Sequence, residues 1–310
     1  MSRQKLSYKK LCKLNKRGEV LKNVPLSEYV TFKCGGNADF LVKINTLEAF
    51  LYVIAYLQEG NFEYFILGAG SNTLVSDKGY NGVVLKLEGD LARIEYTGED
   101  SLECGAGVRL GRLYSELQSR GLSGLEYGAG IPASVGGAVV MNAGAYGFQM
   151  ADIVEYVVAF VNGKITYFTC EECQFAYRDS VFQHNDAIIL RIGMKFVVDD
   201  KDKIQERFLE TMKKRSGSQP LNYPSAGCVF KRIDGIVISK MLDECGLKGL
   251  TLGDAQVSFK HANFIINLGN ASSQDIYDLI EIVKYRFEKK IGIRLSTEIK
   301  FLGEFDEITR

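Results

Sequence analysis

Twenty residues, Gly128 to Gly147, hold six glycines, five alanines and no charged side chain. A loop in water would be more polar, and a flexible linker would not carry Ile131, Val135, Val139 and Met141. Small side chains punctuated by apolar ones read as backbone pressed against a large flat ligand, because glycine lets another group approach the main chain. A close-packed helix or strand contact has the same composition. A second glycine segment, Gly68-Ala69-Gly70-Ser71-Asn72, follows a short apolar run from Tyr64 to Leu67. Its N–H groups can turn toward a phosphate, and a plain tight turn reads alike. The dinucleotide pattern G-x-G-x-x-G is not met. Thr73 stands where the third glycine belongs, and no helix with an acidic residue at the expected distance follows.

The chain has 310 residues, room for two or three domains at ~100–200 residues each. Lys plus Arg and Asp plus Glu number 38 each. That balance lacks the basic excess of a protein that grips nucleic acid, so an anionic ligand must be held by local groups. Met1 to Lys16 has no apolar core of the signal-peptide kind, and no run approaches the ~20 apolar residues that span a bilayer. A cytoplasmic protein with neither nucleic-acid nor membrane partners is expected, and a monomer. Cys170 and Cys173 form the sole C-x-x-C among seven scattered cysteines, beside two histidines. No metal site is expected, and the thiols read as reduced.

Periodicity supplies the elements. The first thirty residues read as a helical arm. Thr46 caps a helix to about Glu59, with Leu47, Phe50, Leu51, Ile54 and Leu57 on one face, and Gly60 ends it. Strands follow at Tyr64–Leu67 and Val83–Leu87. Leu110, Leu113, Tyr114 and Leu117 mark another helix, with Gly121 just past its end. Asn162-Gly163 between two β-rich runs is a hairpin signal, since both turn positions need positive φ. Ala187 to Val198 reads as a strand. Helix and hairpin together disfavour a purely parallel doubly wound sheet. A charged break at Asp199–Asp202 suggests a domain boundary. Beyond it come a helix carrying Ile204, Phe208 and Met212, a loop from Ser216 to Gly227, a helix near Ile236–Cys245 and a strand at Ala262–Asn267. Ser272 or Ser273 caps a long helix to Ile291, and a last strand runs from Leu295 to Leu302.

Three further segments carry chemical groups. Tyr177-Arg178-Asp179-Ser180 sets a planar, permanently charged fork suited to a carboxylate, although arginine is usually a surface residue. Pro224-Ser225-Ala226-Gly227-Cys228-Val229-Phe230-Lys231 places a thiol in a small-residue loop, where cysteine is more often inert core. Leu295-Ser296-Thr297-Glu298-Ile299-Lys300 alternates, with Ser296, Glu298 and Lys300 on the polar face.

In order and spacing, these segments resemble the MurB reductases. The matching stretches are Gly68–Asn72, Gly130-Ile131-Pro132 with Gly136-Gly137, and Met141–Gly147. Tyr177–Ser180, Pro224–Lys231, Ala255–Asn267 and Leu295–Lys300 match as well. The likeness covers about residues 25 to 303 and is to the shorter second type. Departures are Cys228 where the family has serine, Ala133 and Asp254 for glycines, Ile233 for a proline, and Ile238-Ser239 for Ala-Gly.

The resemblance implies an α+β fold. A two-part FAD-binding module of the vanillyl-alcohol-oxidase/PCMH type would be followed by a C-terminal α/β substrate-binding domain. Residues 1–24 would form a helical arm, 25–199 the FAD module with its two subdomains, and 200–310 the substrate domain. FAD would be held without a covalent bond by Gly68, Ala69, Gly70, Ser71, Asn72, Gly130, Ile131, Pro132, Ser134, Gly136, Gly137, Asn142, Ala143 and Gly144. Arg178, Cys228 and Glu298 would be catalytic, and Tyr177, Gln256 and Lys231 would bind substrate. The implied reaction is NADPH-dependent reduction, through FAD, of the enolpyruvyl ether of UDP-N-acetylglucosamine to UDP-N-acetylmuramate. It belongs to cytoplasmic peptidoglycan precursor synthesis. Another FAD oxidoreductase of this fold is an alternative, as is a flavin- or nucleotide-sugar-binding protein whose catalysis Cys228 impairs.

Overall fold

A computed structural model describes residues 6–233 and 235–307. The helices among them are α1 (Tyr8–Leu14), α2 (Leu47–Glu59), α3 (Leu110–Arg120), α4 (Val135–Val140), α5 (Lys201–Ser218), α6 (Ile238–Glu244) and α7 (Ser273–Ile291). Their ends follow local chemistry. The Thr46 hydroxyl accepts the Ala49 N–H at 3.2 Å and starts α2. The helix buries Phe50, Val53, Ile54 and Leu57 as an i, i+3, i+4 stripe. For α7 the cap is Ser272, in a reciprocal box with Asp275. The buried face of α7 is the expected one: Ile276, Leu279, Ile280, Val283 and Phe287. Gly121 closes α3 at φ 72°, in the left-handed region that glycine enters without strain.

Two compact units divide the chain. The first contains residues 1–22, 40–69 and 82–214, and the second 23–39, 70–81 and 215–310. The core of the first includes Ile44, Phe50, Leu85, Leu113, Val139 and Ile192. An antiparallel sheet belongs to it, in the order Lys164–Thr169, Val154–Val161, Ile188–Lys195, Ser101–Gly105, Ile94–Tyr96. The hairpin between its first two strands turns at Asn162 (φ 50°) and Gly163 (φ 77°), as the dipeptide requires. The core of the second unit includes Phe32, Leu74, Phe230, Ile276, Leu279 and Phe287. It carries a sheet of Thr251–Leu252, Ala255–Val257 and Ile265–Asn267. Lys300–Leu302 pairs in parallel with Thr73–Val75. The fold is α+β.

Several expectations need correction. Residues 1–5 of the expected helical arm, 1–24, lie outside the described residues, and of the rest only Tyr8–Leu14 is helical. Glu19–Pro25 is a strand that buries Val20 and Val24. The strand from Ala187 to Val198 breaks at Phe196, whose N–H leaves for the Asp100 carbonyl. Val197–Val198 then pairs with Leu122–Ser123. The loop expected from Ser216 begins later, because α5 runs on to Ser218. The strand at Ala262–Asn267 shortens to Ile265–Asn267, since the Phe264 N–H turns back to the His261 carbonyl. Of the last strand only Lys300–Leu302 is regular, and the preceding residues bond to the chain after Cys228 instead. No helix among the described residues is long and apolar enough to cross a membrane.

Candidate active site

In the first unit the short strand Tyr64–Ile66 lies parallel to Tyr80–Leu87, and the chain then enters the first glycine loop. Lys86 Nζ donates to the Gly68 carbonyl at 2.8 Å and reaches the Leu67 carbonyl at 3.4 Å. A Cβ at Gly68 would overlap the Ser134 hydroxyl. Ser134 is itself engaged, accepting the Gly137 N–H at 3.2 Å as the cap of α4. The first glycine segment therefore abuts the second. Gly136 has its own packing reason: a Cβ there would come within 2.7 Å of Ala106 Cβ, and its N–H donates to the Ala106 carbonyl. Gly144 likewise lies against the Phe148 carbonyl. For these glycines the packing reading holds within the chain itself. Gly130 and Ile131 are half-buried, and Pro132 is exposed.

Three hydrogen bonds tie the second glycine segment to the tyrosine–arginine segment. Arg178 Nη2 donates to the Gly144 carbonyl at 2.5 Å. Buried Asn142 donates from Nδ2 to the Ala176 carbonyl at 2.9 Å. The Ser180 hydroxyl donates to the Val140 carbonyl at 2.7 Å. Arg178 sits at φ 53°, which costs a residue with a Cβ roughly 1–2 kcal/mol. Its turn is held by Ala176 pairing with Asp179 and by Gln183 Nε2 donating to its carbonyl at 2.8 Å. Such strain persists where the surroundings over-determine it, and it gathers at functional sites. Tyr177 is exposed, with the guanidinium 5.2 Å from its ring centre.

The second unit carries the other candidates. Gly70 is left-handed at φ 67°, and a Cβ on it would overlap the Tyr29 carbonyl. Its own carbonyl accepts the Thr31 N–H at 3.0 Å. Asn72 Nδ2 donates to the Glu298 carbonyl at 3.2 Å, and the Lys300 N–H donates to the Asn72 carbonyl at 2.9 Å. The Glu298 N–H in turn donates at 2.7 Å to the carbonyl of Val229, the residue after Cys228. Lys231 N–H donates to Ser296 at 2.9 Å, and Phe230 pairs with Thr297. Cys228, half-buried, and Glu298 thus stand on two neighbouring extended segments. Asn263 fixes this arrangement. Its Oδ1 accepts the Phe230 N–H at 2.9 Å, its Nδ2 donates to the Phe230 carbonyl at 3.0 Å, and its carbonyl accepts the Val229 N–H at 2.8 Å. Gln256 lies in the three-stranded sheet and donates to the Thr251 hydroxyl at 3.1 Å. The Lys231 side chain is exposed.

Residues 38–167 match the family model described as the FAD binding domain. Residues 219–302 match that of the UDP-N-acetylenolpyruvoylglucosamine reductase C-terminal domain. A protein of Syntrophomonas wolfei bearing that reductase name is 41% identical over 283 residues, covering 91% of this chain and 94% of its own. The chain belongs to the UDP-N-acetylenolpyruvoylglucosamine reductase family. A second reductase of that name, from Clostridium novyi, is 40% identical over 300 residues, 96% of this chain and 97% of that one. The crystal structure of the Thermus caldophilus reductase superposes with a TM-score of 0.79 at 36% identity, covering 93% of this chain and 99% of that one.

The side chains of this reductase suit an anionic dinucleotide. Beside the first glycine loop, desolvation and the Arg109 guanidinium lower Lys86 to about 8, with Glu88 acting in the opposite sense and Lys43 adding to the lowering. Lys43 is paired with Glu19 at 2.6 Å. Positive charge beside the first glycine loop is chemistry that favours a diphosphate. Sequence reading missed Lys86 because it interrupts a strand of buried valines and leucines, where a lysine normally marks an edge. It also passed over the support given by Asn263 and Ser180. The signal for Asn263 was an amide between Ala262 and Phe264, telling only once burial is known, and Ser180, next to Asp179, gave none.

Proposed function

We propose that the chain reduces the carbon–carbon double bond of UDP-N-acetyl-3-O-(1-carboxyvinyl)glucosamine to give UDP-N-acetylmuramate, with NADPH as reductant. The observation that carries this reading is the 41% identity to a reductase of that name across 91% of the chain. FAD, held without a covalent link by the two glycine segments, would supply hydride chemistry at the methylene carbon. Residues 25–199 serve as its module, 200–310 hold the substrate, and the first and second glycine segments receive the cofactor.

Arg178 takes the substrate carboxylate in its planar fork and opposes the negative charge that develops beside it. Groups fixed in advance against developing charge are commonly the largest catalytic contribution. The support for this role is the strained, multiply bonded turn that holds the arginine half-buried. Cys228 gives the proton from Sγ to the α carbon. A thiol is a stronger acid than the hydroxyl the family carries there, and it can donate as long as it stays protonated. Glu298 assists at the carboxylate, as its acid form or through a water. Tyr177, Gln256 and Lys231 contact the UDP-sugar. The protein works as a monomer in the cytoplasm, apart from membranes and nucleic acids, in accord with its equal numbers of acidic and basic residues.

The test is spectroscopic. Purified protein should show a flavin absorption band, lose it with NADPH in the absence of oxygen, and regain it when the enolpyruvyl UDP-sugar is added. Bleaching without recovery would retain the flavoprotein and reject the substrate. Reoxidation by oxygen alone, with an alcohol as reductant, would favour an oxidase of the same fold.

A further inference from the structure

Lys86 stands beside the first glycine segment, and the reaction assigns it no part. It projects from the strand Tyr80–Leu87 among Val83, Val84, Leu85 and Leu87, all buried. A cation in such a strand loses hydration, which is costly unless its hydrogen bonds are replaced. Here they are replaced by main-chain carbonyls of the next structural motif. Nζ lies 2.8 Å from the Gly68 oxygen and 3.4 Å from the Leu67 oxygen.

The geometry has a definite consequence. A trans peptide points its C=O and its N–H in opposite directions, and no cis peptide bond occurs among the described residues. The Leu67 carbonyl shares its plane with the Gly68 N–H, and the Gly68 carbonyl with the Ala69 N–H. Both carbonyls turn toward Lys86, so both N–H groups turn away from it. We propose that Lys86 is the positioning residue of the first glycine loop, drawing the carbonyls of Leu67 and Gly68 to one side so that the amides of Gly68 and Ala69 face an anionic group, the diphosphate of FAD. The inference rests on the flavoprotein reading above. Ser134 adds to the same arrangement: its hydroxyl occupies the space a Gly68 side chain would need, so the loop cannot relax in that direction.

The charges around Lys86 are those of Arg109, Glu88 and Lys43, the last paired with Glu19. Lys86 titrates near 8 in the protein without ligand, and a bound diphosphate favours its charged form. Binding therefore takes up a proton once pH rises past that value, and affinity falls with further rise, by at most about tenfold per pH unit. Arg109 keeps its charge throughout and contributes no such slope.

The experiment titrates FAD into flavin-stripped protein, read by quenching of flavin fluorescence, between pH 7 and pH 9. The native protein should bind more weakly at pH 9. Lys86→Met, close in volume, should bind roughly 10- to 100-fold more weakly at pH 7, the worth of one charge-assisted hydrogen bond, and should lose the pH dependence. Lys86→Arg should recover most of the affinity at pH 7 and stay flat to pH 9. If Lys86→Met does not fold, the native profile and the arginine variant decide the matter. Equal affinity in Lys86→Met, or weaker binding with the slope intact, overturns the proposal, because a purely structural lysine would give the second result. Native protein that takes up no FAD at any pH removes the flavoprotein reading itself, and this proposal with it.

Discussion

Asn263→Ala removes both side-chain hydrogen bonds that hold Phe230 in place, and the consequence can be worked from the structure. Phe230 is 2% exposed. Its N–H loses the Oδ1 acceptor at 2.9 Å, and its carbonyl loses the Nδ2 donor at 3.0 Å. Each buried backbone group left unsatisfied costs about 1–3 kcal/mol. The two losses share one relaxation and do not simply add, so the expected destabilisation is about 2–4 kcal/mol. The main-chain bond from Val229 to Asn263 survives the substitution, so the chain keeps its course and loses its rigidity. Cys228 is two residues away, and a displacement of about 1 Å at a reacting group can cost ~10²-fold in rate. Urea unfolding followed by circular dichroism measures the first effect, and turnover at saturating substrate measures the second. FAD affinity should stay unchanged. Asn263→Asp keeps the acceptor for the Phe230 N–H but sets a buried carboxylate oxygen against the Phe230 carbonyl, and should destabilise at least as much as the alanine variant. An unfolding free energy within ~0.5 kcal/mol of native, with unchanged turnover, would refute the idea that this amide frames the thiol.

Two other outcomes follow from the same reasoning. Cys228→Ala should bind FAD and accept electrons from NADPH, yet reduce substrate at least about 10²-fold more slowly, with Cys228→Ser recovering part of the rate. Arg207→Ala should destabilise the protein by about 3 kcal/mol, because it strands the buried carboxylate of Glu126, which now accepts from Arg207 Nε at 2.8 Å. Burial alone would raise the Glu126 carboxyl, but the Gly124 amide, its own amide, the Ser123 hydroxyl and Arg207 hold it below its usual value of 4.5. A depressed carboxyl contributes stability above its unfolded value and loses it on acidification, so native stability should fall as pH drops below about 4.5, and less steeply in Arg207→Ala, as thermal melts across pH 3 to 7 would show.

The sequence was informative where a local rule had one outcome. Thr46 and Asn162-Gly163 each specify a cap or turn through their own atoms and form as expected, and of the two candidate caps Ser272 and Ser273 it is Ser272 that starts the long helix. It misled where partners distant in sequence decide. Glu19–Pro25 carries no long apolar run, and only pairing within a sheet makes it a strand. The run before Lys300 alternates like a strand, yet its Glu298 N–H donates to the Val229 carbonyl and its Ser296 carbonyl accepts the Lys231 N–H, as single links and not as a ladder. The glycine segments show the same division. Their order identified the family, while the particular need for glycine at 68, 136 and 144 came from Ser134, Ala106 and Phe148, which no spacing rule connects to them.

The supports behind the two reacting side chains have one chemical feature in common. Arg178 is held through the Gly144 carbonyl, Asn142 and Gln183, and Cys228 through Asn263 and the Val229–Glu298 amide link. Amides and carbonyls do not titrate between pH 5 and 10, so these frames keep their geometry across the range in which enzymes are assayed. The dependence of turnover on pH then reports the proton donor and not its scaffold. A thiol loses its proton at moderately alkaline pH and a hydroxyl does not, so the native enzyme should lose turnover on the alkaline side while Cys228→Ser, slower at neutrality, should keep its rate. Saturating FAD removes the contribution of Lys86, which acts on affinity. An alkaline decline of the same midpoint in both proteins would assign it to another group and take the proton-donor role away from Cys228.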